Sequence, residues 1–340
     1  MGLQIGDIIP KKQIQFSDLK NKTIVVDAFN TIYQFLTTIR QPDGTPLKDS
    51  KGNITSHISG LFYRNMRLIL EGIKLIYVFD GEAPELKSKT WEKRKQAKDL
   101  AKEKYEKAVA DEDIEAMGKY SRSDASLDEQ KIKESKELLE AMGISIVQSP
   151  GEGEAQASFM INEDNSLYAV SSQDYDCLMF KAPKLVQNLG MSRRRRTISG
   201  YVEIFPQIIK LKNVLKELDI NQEQLICLGI LCGTDYNPGG VHGLGPKKSL
   251  KFVKEHKTKE KIFKAIKDNE KLELGFDWQE IYNEIEKPKI NKNPKIEFSK
   301  INPEKIKEIL LRYEFSESRI DSQLAKLNEL KKAKAQKTLF

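Results

Sequence analysis

The stretch Thr23-Ile24-Val25-Val26-Asp27 decides the fold, because it is a short run of apolar, β-branched residues that ends in an acid. The run from Lys74 to Asp80, KLIYVFD, repeats this pattern. A continuous apolar run of this length is typical of a strand buried on both faces, as in a parallel sheet. Between the two runs, apolar residues recur near helical spacing over Ser56–Leu70. Strand, helix and strand form a βαβ unit, whose ligands bind beyond the carboxyl ends of the strands.

Two further apolar runs, Ile144–Val147 and Leu167–Val170, also lead to acids. The first is followed by GEGEA, in which Glu152 and Glu154 stand where a helix is predicted to begin. The second leads into Asp174 and Asp176, whose side chains would point the same way in extended backbone because strand side chains alternate. Four runs that end at carboxylates predict an α/β protein with a central, mostly parallel sheet and an acidic cluster at one edge.

The rest of the chain is predicted to be largely helical. Residues 85–140 are rich in Lys, Glu and Ala and indicate long exposed helices, which would place Lys87, Arg94 and Lys98 on one face. Residues 192–196, SRRRR, suggest a basic loop or hairpin. From about Val214 the pattern indicates helices to the end, with a glycine-rich break at 239–245.

Composition narrows the class of protein. A chain of 340 residues can form one large core or two domains of ordinary size. Its 57 basic and 50 acidic residues give a formal net charge of +7, which favours a polyanionic partner such as nucleic acid. Its apolar runs fall well short of the ~20 residues that span a bilayer, and its first residues lack the layout of a secretory signal. We therefore expect a soluble, intracellular protein that does not bind membranes.

The cysteines indicate core packing. Cys177, Cys227 and Cys232 lie among apolar neighbours and form no CxxC pair, while the three histidines are scattered. This favours reduced thiols over a disulfide framework or a zinc site. Any bound metal would then have oxygen ligands.

The acids themselves suggest metal chemistry. Mg²⁺ prefers oxygen ligands, and two such ions about 4 Å apart can activate water and stabilise the leaving oxygen during phosphodiester cleavage. The alternative is that each acid only caps a helix or forms a turn, which are common roles at strand ends and helix starts. That alternative is plausible for one acid and much less so for the whole set.

The sequence resembles the flap endonuclease family of structure-specific 5′ nucleases over nearly its whole length. The matching blocks are VVDAFNTIYQFL (25–36), TSHISGLFYR (55–64), YVFDGEAPELK (77–87), GEGEA (151–155), SSQDYDCL (171–178) and GTDYNPGGVHGLGPKKSL (233–250). The resemblance implies a PIN-like 5′ nuclease fold with two Mg²⁺ ions, replaceable by Mn²⁺. It assigns them to seven acids: Asp27, Asp80, Glu152, Glu154, Asp174, Asp176 and Asp235.

The resemblance also implies how DNA is held. Lys87 and Arg94 would contact the scissile phosphate, and Tyr33 would stack on a base beside the cleaved bond. The positions expected to contact DNA elsewhere are Arg40, Arg64, Glu152, Gly233, Asp235, Gly243, Gly245, Lys247 and Lys248. The last four form a helix-hairpin-helix type turn that would bind duplex with a K⁺ ion, whereas a plain turn between helices is the simpler interpretation.

Family members carry a helical arch, which corresponds to residues 85–140, and often end in a peptide that binds the sliding clamp PCNA. Gln336 and Leu339 fit that peptide, but the chain stops at Phe340 and lacks the aromatic pair, so a frayed terminus is equally plausible. The expected regions are 1–98 and 141–258 for the nuclease, 99–140 for the rest of the arch, 259–330 for a helical C-terminal region and 331–340 for the tail. The short tail suggests an archaeal-type, cytoplasmic member of the family, and we expect a monomer.

The reaction implied is hydrolysis at the junction of a 5′ flap with duplex DNA, leaving a 3′-hydroxyl and a 5′-phosphate. A 5′–3′ exonuclease activity would accompany it, with roles in Okazaki-fragment maturation and base-excision repair. Two alternatives remain at this level: a non-catalytic DNA-binding scaffold that uses the hairpin, and a PIN-like ribonuclease.

Overall fold

The computed structural model describes residues 3–41, 44–111, 113, 120, 126–191, 194–197 and 200–337. Within these ranges its side chains are described except at 88–95, 97–98, 109, 194–197 and 330–337.

The centre of the molecule is a seven-stranded sheet in the order β1-β9-β6-β5-β2-β3-β4. Strands β2 to β6 pair in parallel where they adjoin, and β9 pairs antiparallel with β6 and β1. The strands of this sheet are β1 (Lys12–Gln13), β2 (Thr23–Asp27), β3 (Lys74–Phe79), β4 (Ser145–Gln148), β5 (Leu167–Ser171), β6 (Lys184–Gln187) and β9 (Gln207–Lys210). The predicted mostly parallel sheet is confirmed, and the short strands β1, β6 and β9 are additions to it.

The sheet is buried on both faces, as the apolar runs predicted. Alternate residues of β2 and β3 enter two different cores: Val25 and Ile76 belong to one, and Val26 and Tyr77 to the other. Strand side chains alternate between faces, so a strand covered on both sides must be apolar throughout. The cores therefore fix the sheet between two layers of helices.

Helices surround the sheet on both sides. The first core contacts helices of the middle and later chain, and the second contacts the early helices together with the last two. The helices are α1 (Ala28–Thr38), α2 (Ser56–Leu70), α3 (Ser88–Ala110), α4 (Glu129–Ala141), α5 (Gly153–Glu163), α6 (Asp176–Met179), α7 (Leu211–Leu218), α8 (Gln222–Cys232), α9 (Pro246–His256), α10 (Lys259–Lys267), α11 (Trp278–Glu286), α12 (Pro303–Arg312) and α13 (Glu317–Lys337).

The predicted helices of residues 85–140 are present as α3 and α4. The prediction that Lys87 shares a helix with Arg94 is wrong: Lys87 ends a short 3₁₀ turn, Glu85–Lys87, directly before α3. The amide of Lys87 donates to the Pro84 carbonyl and closes this turn. Residues 112, 114–119 and 121–125 of this region lie outside the described residues.

The expectation of helices to the end is wrong for residues 287–302, where the described backbone contains none. Pro288 and Pro294 explain the break, since proline lacks the amide proton that an interior helical turn requires. Through Ile290, this segment packs against the first core. Its Asn291 exchanges two hydrogen bonds with the buried Gln156 of α5, at 2.9 and 2.7 Å.

The basic run forms a hairpin: β7 (Arg194–Thr197) pairs antiparallel with β8 (Gly200–Glu203). Ser192 and Arg193 lie outside the described residues. The three cysteines are free thiols, and Cys177 and Cys227 are buried. Among the helices in the described part of the chain, none combines the length and apolar character that crossing a membrane requires.

Candidate active site

Asp27 and Asp80 lie side by side at the carboxyl edge of the sheet. Asp27 ends β2 and Asp80 follows β3, the strand that pairs in parallel with β2. Asp27 also caps α1, because its Oδ1 accepts a hydrogen bond from the amide of Asn30 at 3.1 Å. The strand end and the helix cap therefore fix this carboxylate, which is buried.

Asp80 is held by the beginning of α5. Its Oδ1 accepts a hydrogen bond from the amide of Gly153 at 2.7 Å. Helix N-termini attract anions because their first amides have no partner within the helix. A Cβ atom at position 153 would lie 2.5 Å from the same Oδ1, so only glycine leaves room for this contact.

Ser172 links three of the acids. Its hydroxyl donates to Oε1 of Glu154 at 2.7 Å and lies 3.4 Å from Oδ2 of Asp27. The hydroxyl oxygen of Ser172 also accepts a hydrogen bond from the amide of Asp174 at 3.2 Å. Glu154, from α5, is therefore joined through Ser172 to Asp27 at the end of β2 and to Asp174 beyond β5.

Asp174 and Asp176 do not occupy extended backbone, so the prediction that strand alternation would point their side chains the same way is wrong. Asp174 lies in a bend and Asp176 begins the short helix α6. They still lie close together, and after burial the charge of Asp174 is the next cause that raises the pKa of Asp176. Oδ2 of Asp174 accepts from the Asn30 side-chain amide at 3.1 Å, and Oδ1 of Asp176 accepts from the Leu3 amide at 3.0 Å.

Burial, and then the charges of neighbouring carboxylates, raise the pKa values of these acids. Burial raises the pKa of Asp27 to about 8, and the charge of Asp80 adds to this effect. Burial raises the pKa of Asp80 to about 6 and that of Asp176 to about 7. Burial, followed by the charge of Asp27, also raises the pKa of Glu154 well above its usual value. Such crowding of buried negative charge is what a bound cation relieves.

The oxygen-only donor set suits a hard cation such as Mg²⁺. Within the described residues, however, no three His, Cys, Asp or Glu side chains are grouped as ligands around one metal-sized point. The carboxylate oxygens instead accept hydrogen bonds from Ser172, Asn30 and Tyr236. These donors fix the positions of the acids around the cluster.

Lys87 places a positive charge against this cluster. Its ammonium pairs with Oε1 of Glu152 and lies 3.9 Å from Oδ2 of Asp235. Burial alone would lower the pKa of Lys87, but the charges of Glu152 and Asp235 raise it overall. Lys87 is therefore a protonated lysine, held between acids of two distant chain segments.

Known proteins resemble the chain over almost its whole length. Residues 4–101 match the XPG N-terminal domain and residues 143–235 match the XPG I-region. Flap endonuclease 1 of Hyperthermus butylicus is 46% identical over 335 residues, covering 97% of this chain and 95% of the relative. Flap endonuclease 1 of Pyrococcus furiosus is 46% identical over 342 residues, covering 100% and 98%.

The chain belongs to the flap endonuclease 1 family. It is therefore a structure-specific 5′ nuclease, a hydrolase of DNA phosphodiester bonds. The solved structure of flap endonuclease-1 from Methanococcus jannaschii matches with a TM-score of 0.76 and 37% identity, covering 98% of this chain and 100% of that one. The catalytic core of Rad2 in complex with DNA substrate matches in fold, with a TM-score of 0.72 and 22% identity over 96% of this chain and 99% of that one.

Of the side chains expected to contact DNA, Tyr33 is 46% exposed on α1. Arg64 is half-buried on α2, and burial lowers its pKa. The Arg40 guanidinium donates to the carbonyls of Leu36, Thr37 and Gly44 at 3.0, 3.2 and 3.1 Å. These bonds close the end of α1, so Arg40 has a structural role that the sequence did not indicate. Arg94 belongs to α3, and its side chain lies outside the described ones.

The predicted duplex-binding turn lies between α8 and α9. Gly243 has a φ of +83°, which favours glycine, and Gly245 is the N-cap of α9; a Cβ atom at either position would meet nothing within 4 Å. Lys247 is exposed, and the Lys248 ammonium donates to the Gly243 carbonyl at 3.3 Å. The backbone of this turn is thus open to a ligand.

Gly233 has a local structural reason to be glycine. Its φ is +98°, and a Cβ atom there would lie 2.6 Å from the amide nitrogen of Gly240. Glycine at both positions lets the two backbone segments approach closely between α8 and the turn. Its expected contact with DNA remains a prediction.

At the C-terminus, α13 continues to Lys337, so Gln336 belongs to a helix. Its side chain, and the whole of Leu339 and Phe340, lie outside the described residues.

Sequence reasoning missed three side chains of the cluster: Asn30, Ser172 and Tyr236. Asn30 and Ser172 follow the ends of β2 and β5, the same signal that identified the acids. Tyr236 has only its position beside Asp235 as a signal, since its contact with Glu152 depends on the tertiary fold.

Proposed function

We propose that this chain hydrolyses the phosphodiester at the junction of a 5′ flap with duplex DNA, and that it also degrades nicked or recessed 5′ ends. The scissile phosphorus–oxygen bond is replaced by a bond to a water oxygen, which leaves a 5′-phosphate and a 3′-hydroxyl. Family membership and the geometry at the carboxyl edge of the sheet support this proposal.

One observation carries it: the Lys87 ammonium lies against acids of two distant segments, pairing with Glu152 and lying 3.9 Å from Asp235. Asp80, which also follows a central strand, accepts from the α5 amide next to Glu152. A positive charge beside an acidic cluster suits a phosphodiester, which needs both charge neutralisation and an activated water.

We assign Mg²⁺, replaceable by Mn²⁺, to the carboxylates of Asp27, Asp80, Glu152, Glu154, Asp174, Asp176 and Asp235. When bound, two such cations lower the pKa of water and stabilise the charge on the leaving oxygen. The raised pKa values of Asp27, Asp80, Glu154 and Asp176 support this assignment, because burial and the neighbouring carboxylates disfavour the charged forms and a bound cation would offset both effects.

The other residues bind and orient DNA. Lys87, together with Arg94, stabilises the charge that develops on the scissile phosphate. Tyr33, exposed on α1, stacks on a base beside that bond, a contact that tolerates any sequence. Arg64 contacts the backbone, whereas Arg40 acts mainly by shaping the end of α1.

The turn with Gly243, Gly245, Lys247 and Lys248 binds the phosphates of downstream duplex together with a K⁺ ion. Its open glycine backbone and exposed Lys247 support this role. Backbone amides at such a turn bind phosphate without reading sequence. Gly233 and Asp235 are further DNA contacts, and Asp235 is also one of the seven acids.

We also infer a cellular setting. The substrates are branched or flap DNA intermediates of Okazaki-fragment maturation and base-excision repair, acted on by a cytoplasmic monomer. Residues 1–98 and 141–258 form the nuclease, 99–140 complete the arch and 259–330 form a helical C-terminal region. Residues 331–340, with Gln336, Leu339 and Phe340, form a shortened peptide for the sliding clamp PCNA.

The test is cleavage of a labelled 5′-flap DNA with and without Mg²⁺ by the wild-type chain and by Asp176→Asn. Asparagine keeps an oxygen that accepts from the Leu3 amide, so the variant removes charge with little change in packing. We expect cleavage at the junction only with Mg²⁺, and at least a hundredfold slower cleavage by the variant, on the order of the loss when a key catalytic group is removed.

Three results would contradict the proposal. Tight flap binding without metal-dependent cleavage would identify a DNA-binding scaffold. Preferred cleavage of single-stranded RNA would identify a PIN-like ribonuclease. Unchanged cleavage by Asp176→Asn would exclude the assigned acids.

A further inference from the structure

Tyr236 contacts both partners of the Lys87–Glu152 ion pair. Its hydroxyl donates to Oε2 of Glu152 at 2.6 Å, while the Lys87 ammonium pairs with the other oxygen, Oε1. The same ammonium lies 5.2 Å from the centroid of the Tyr236 ring. One side chain thus orients the carboxylate and supports the lysine.

The position of Tyr236 is itself fixed by buried polar contacts. Its amide donates to the Thr234 hydroxyl at 3.1 Å, and that hydroxyl donates to Oδ1 of Asn237 at 2.7 Å. The Asn237 side-chain amide donates to the Ile230 carbonyl of α8 at 2.7 Å. Tyr236 is only 8% exposed, so it has a rigid base on α8.

Lys87 needs such support. It lies on the turn before α3, and its flexible side chain must reach from there to the cluster. A long lysine side chain loses considerable rotamer freedom when it is held in one position. An aromatic face and an oriented carboxylate together restrict the ammonium to one place.

We propose that Tyr236 is a positioning residue for the phosphodiesterase reaction, which holds the Lys87 ammonium and the Glu152 carboxylate in register for the scissile phosphate. This inference rests on the proposed function. Tyr236 acts through these two groups and does not itself react with the substrate.

The experiment compares Tyr236→Phe and Tyr236→Leu with the wild-type chain. Phenylalanine keeps the ring and removes the bond to Glu152, whereas leucine removes both contacts. Single-turnover cleavage of 5′-flap DNA should slow about tenfold in Tyr236→Phe, which corresponds to about 1.4 kcal/mol. It should slow further in Tyr236→Leu, while flap affinity, measured without divalent metal, stays within about twofold because Tyr236 acts on the reacting groups.

A second readout does not depend on activity. Acetylation of Lys87 in the metal-free protein, followed by mass spectrometry, should be slow in the wild type and in Tyr236→Phe. Acetylation should be several-fold faster in Tyr236→Leu. The Lys87 side chain is about one-fifth exposed in the wild type, and in this variant its ammonium loses the aromatic support.

Tyr282 supplies the matched control. It is also buried, and its ring lies 4.2 Å from the Lys259 ammonium, but it belongs to α11 and does not contact the acids assigned to the metals. Tyr282→Phe should leave both the cleavage rate and the labelling of Lys87 at wild-type values. Circular dichroism identifies any variant that fails to fold, and Tyr236→Phe then decides the question alone.

The outcomes separate this inference from the proposed function. If the wild type cleaves flaps but Tyr236→Phe cleaves at the same rate, Tyr236 does not position the site. Unchanged labelling of Lys87 in a folded Tyr236→Leu would have the same meaning. If the wild type leaves flap DNA intact in Mg²⁺, the proposed function fails and the positioning role fails with it.

Discussion

The amide of Leu3 donates a hydrogen bond of 3.0 Å to Oδ1 of Asp176, which joins the start of the chain to an acid that begins α6. Leu3 is buried in the same core as Ile5 and Cys177. The N-terminal segment is therefore part of the candidate active site, although it carries no residue that the sequence singled out.

This bond predicts different effects for two substitutions of Leu3. Leu3→Ala removes packing and should cost about 2–5 kcal/mol of unfolding free energy. Leu3→Pro also removes the amide proton, and should cost about 1–3 kcal/mol more because a buried carboxylate oxygen loses its donor. Urea unfolding of both variants measures the difference. Equal stabilities would show that the Leu3 amide contributes nothing to holding Asp176.

Ser172→Ala should slow flap cleavage about tenfold, because Glu154 and Asp174 lose the hydroxyl that holds them together. Single-turnover rates in saturating Mg²⁺ measure this effect. Ser135→Ala is the matched control, since Ser135 is equally buried but its hydroxyl donates to the Lys131 carbonyl of α4. A loss of rate of similar size in the control would assign the effect to general destabilisation.

Gly153→Ala should reduce both stability and activity. The added methyl group would lie 2.5 Å from Oδ1 of Asp80 and displace that carboxylate from the start of α5. We expect a loss of about 1–3 kcal/mol, typical of overpacking at a buried position, together with a higher Mg²⁺ requirement for cleavage. Gly275→Ala, where a Cβ atom would meet nothing within 4 Å, should change neither quantity. Wild-type Mg²⁺ dependence in Gly153→Ala would contradict the assignment of Asp80.

Glu137 predicts a pH dependence of stability away from the acidic cluster. Hydrogen bonds from the Arg312 guanidinium, at 2.9 and 3.0 Å, lower the pKa of this carboxyl below its ordinary value of 4.5. A lowered pKa in the folded state means that the stabilisation is present above the unfolded pKa and is lost as pH falls through the folded one.

The stability difference between wild type and Glu137→Gln should therefore be largest near pH 7 and should shrink below about pH 4.5, where the unfolded carboxyl becomes protonated. It should not exceed about 1 kcal/mol, because the pair is partly exposed and screened by solvent. Urea unfolding at several pH values measures it. Glu297→Gln, in a more exposed pair with Lys295, is the control and should show a smaller effect. A stability difference in Glu137→Gln that does not depend on pH would contradict the role of the Glu137–Arg312 pair.

Several parts of the fold followed directly from sequence patterns. The apolar runs at 23–27 and 74–80 predicted buried parallel strands, and Ser56–Leu70 has the predicted helix bounds. The strands β1, β6 and β9 were missed because two to four residues are too few to establish alternation. The helices expected after Val214 are interrupted at 287–302. The prediction did not take account of the two prolines in that stretch.

The sequence by itself determined that Asp27 and Asp80 lie together at one edge of the sheet, because parallel strands place their carboxyl ends together and these two acids lie at the ends of neighbouring strands. Only the tertiary structure decided which groups surround those acids. Lys87 reaches Glu152 from a turn before α3, and Tyr236 reaches it from beyond α8. Periodicity encodes the face or edge on which a residue lies, whereas contacts between distant segments depend on how whole helices pack against the sheet.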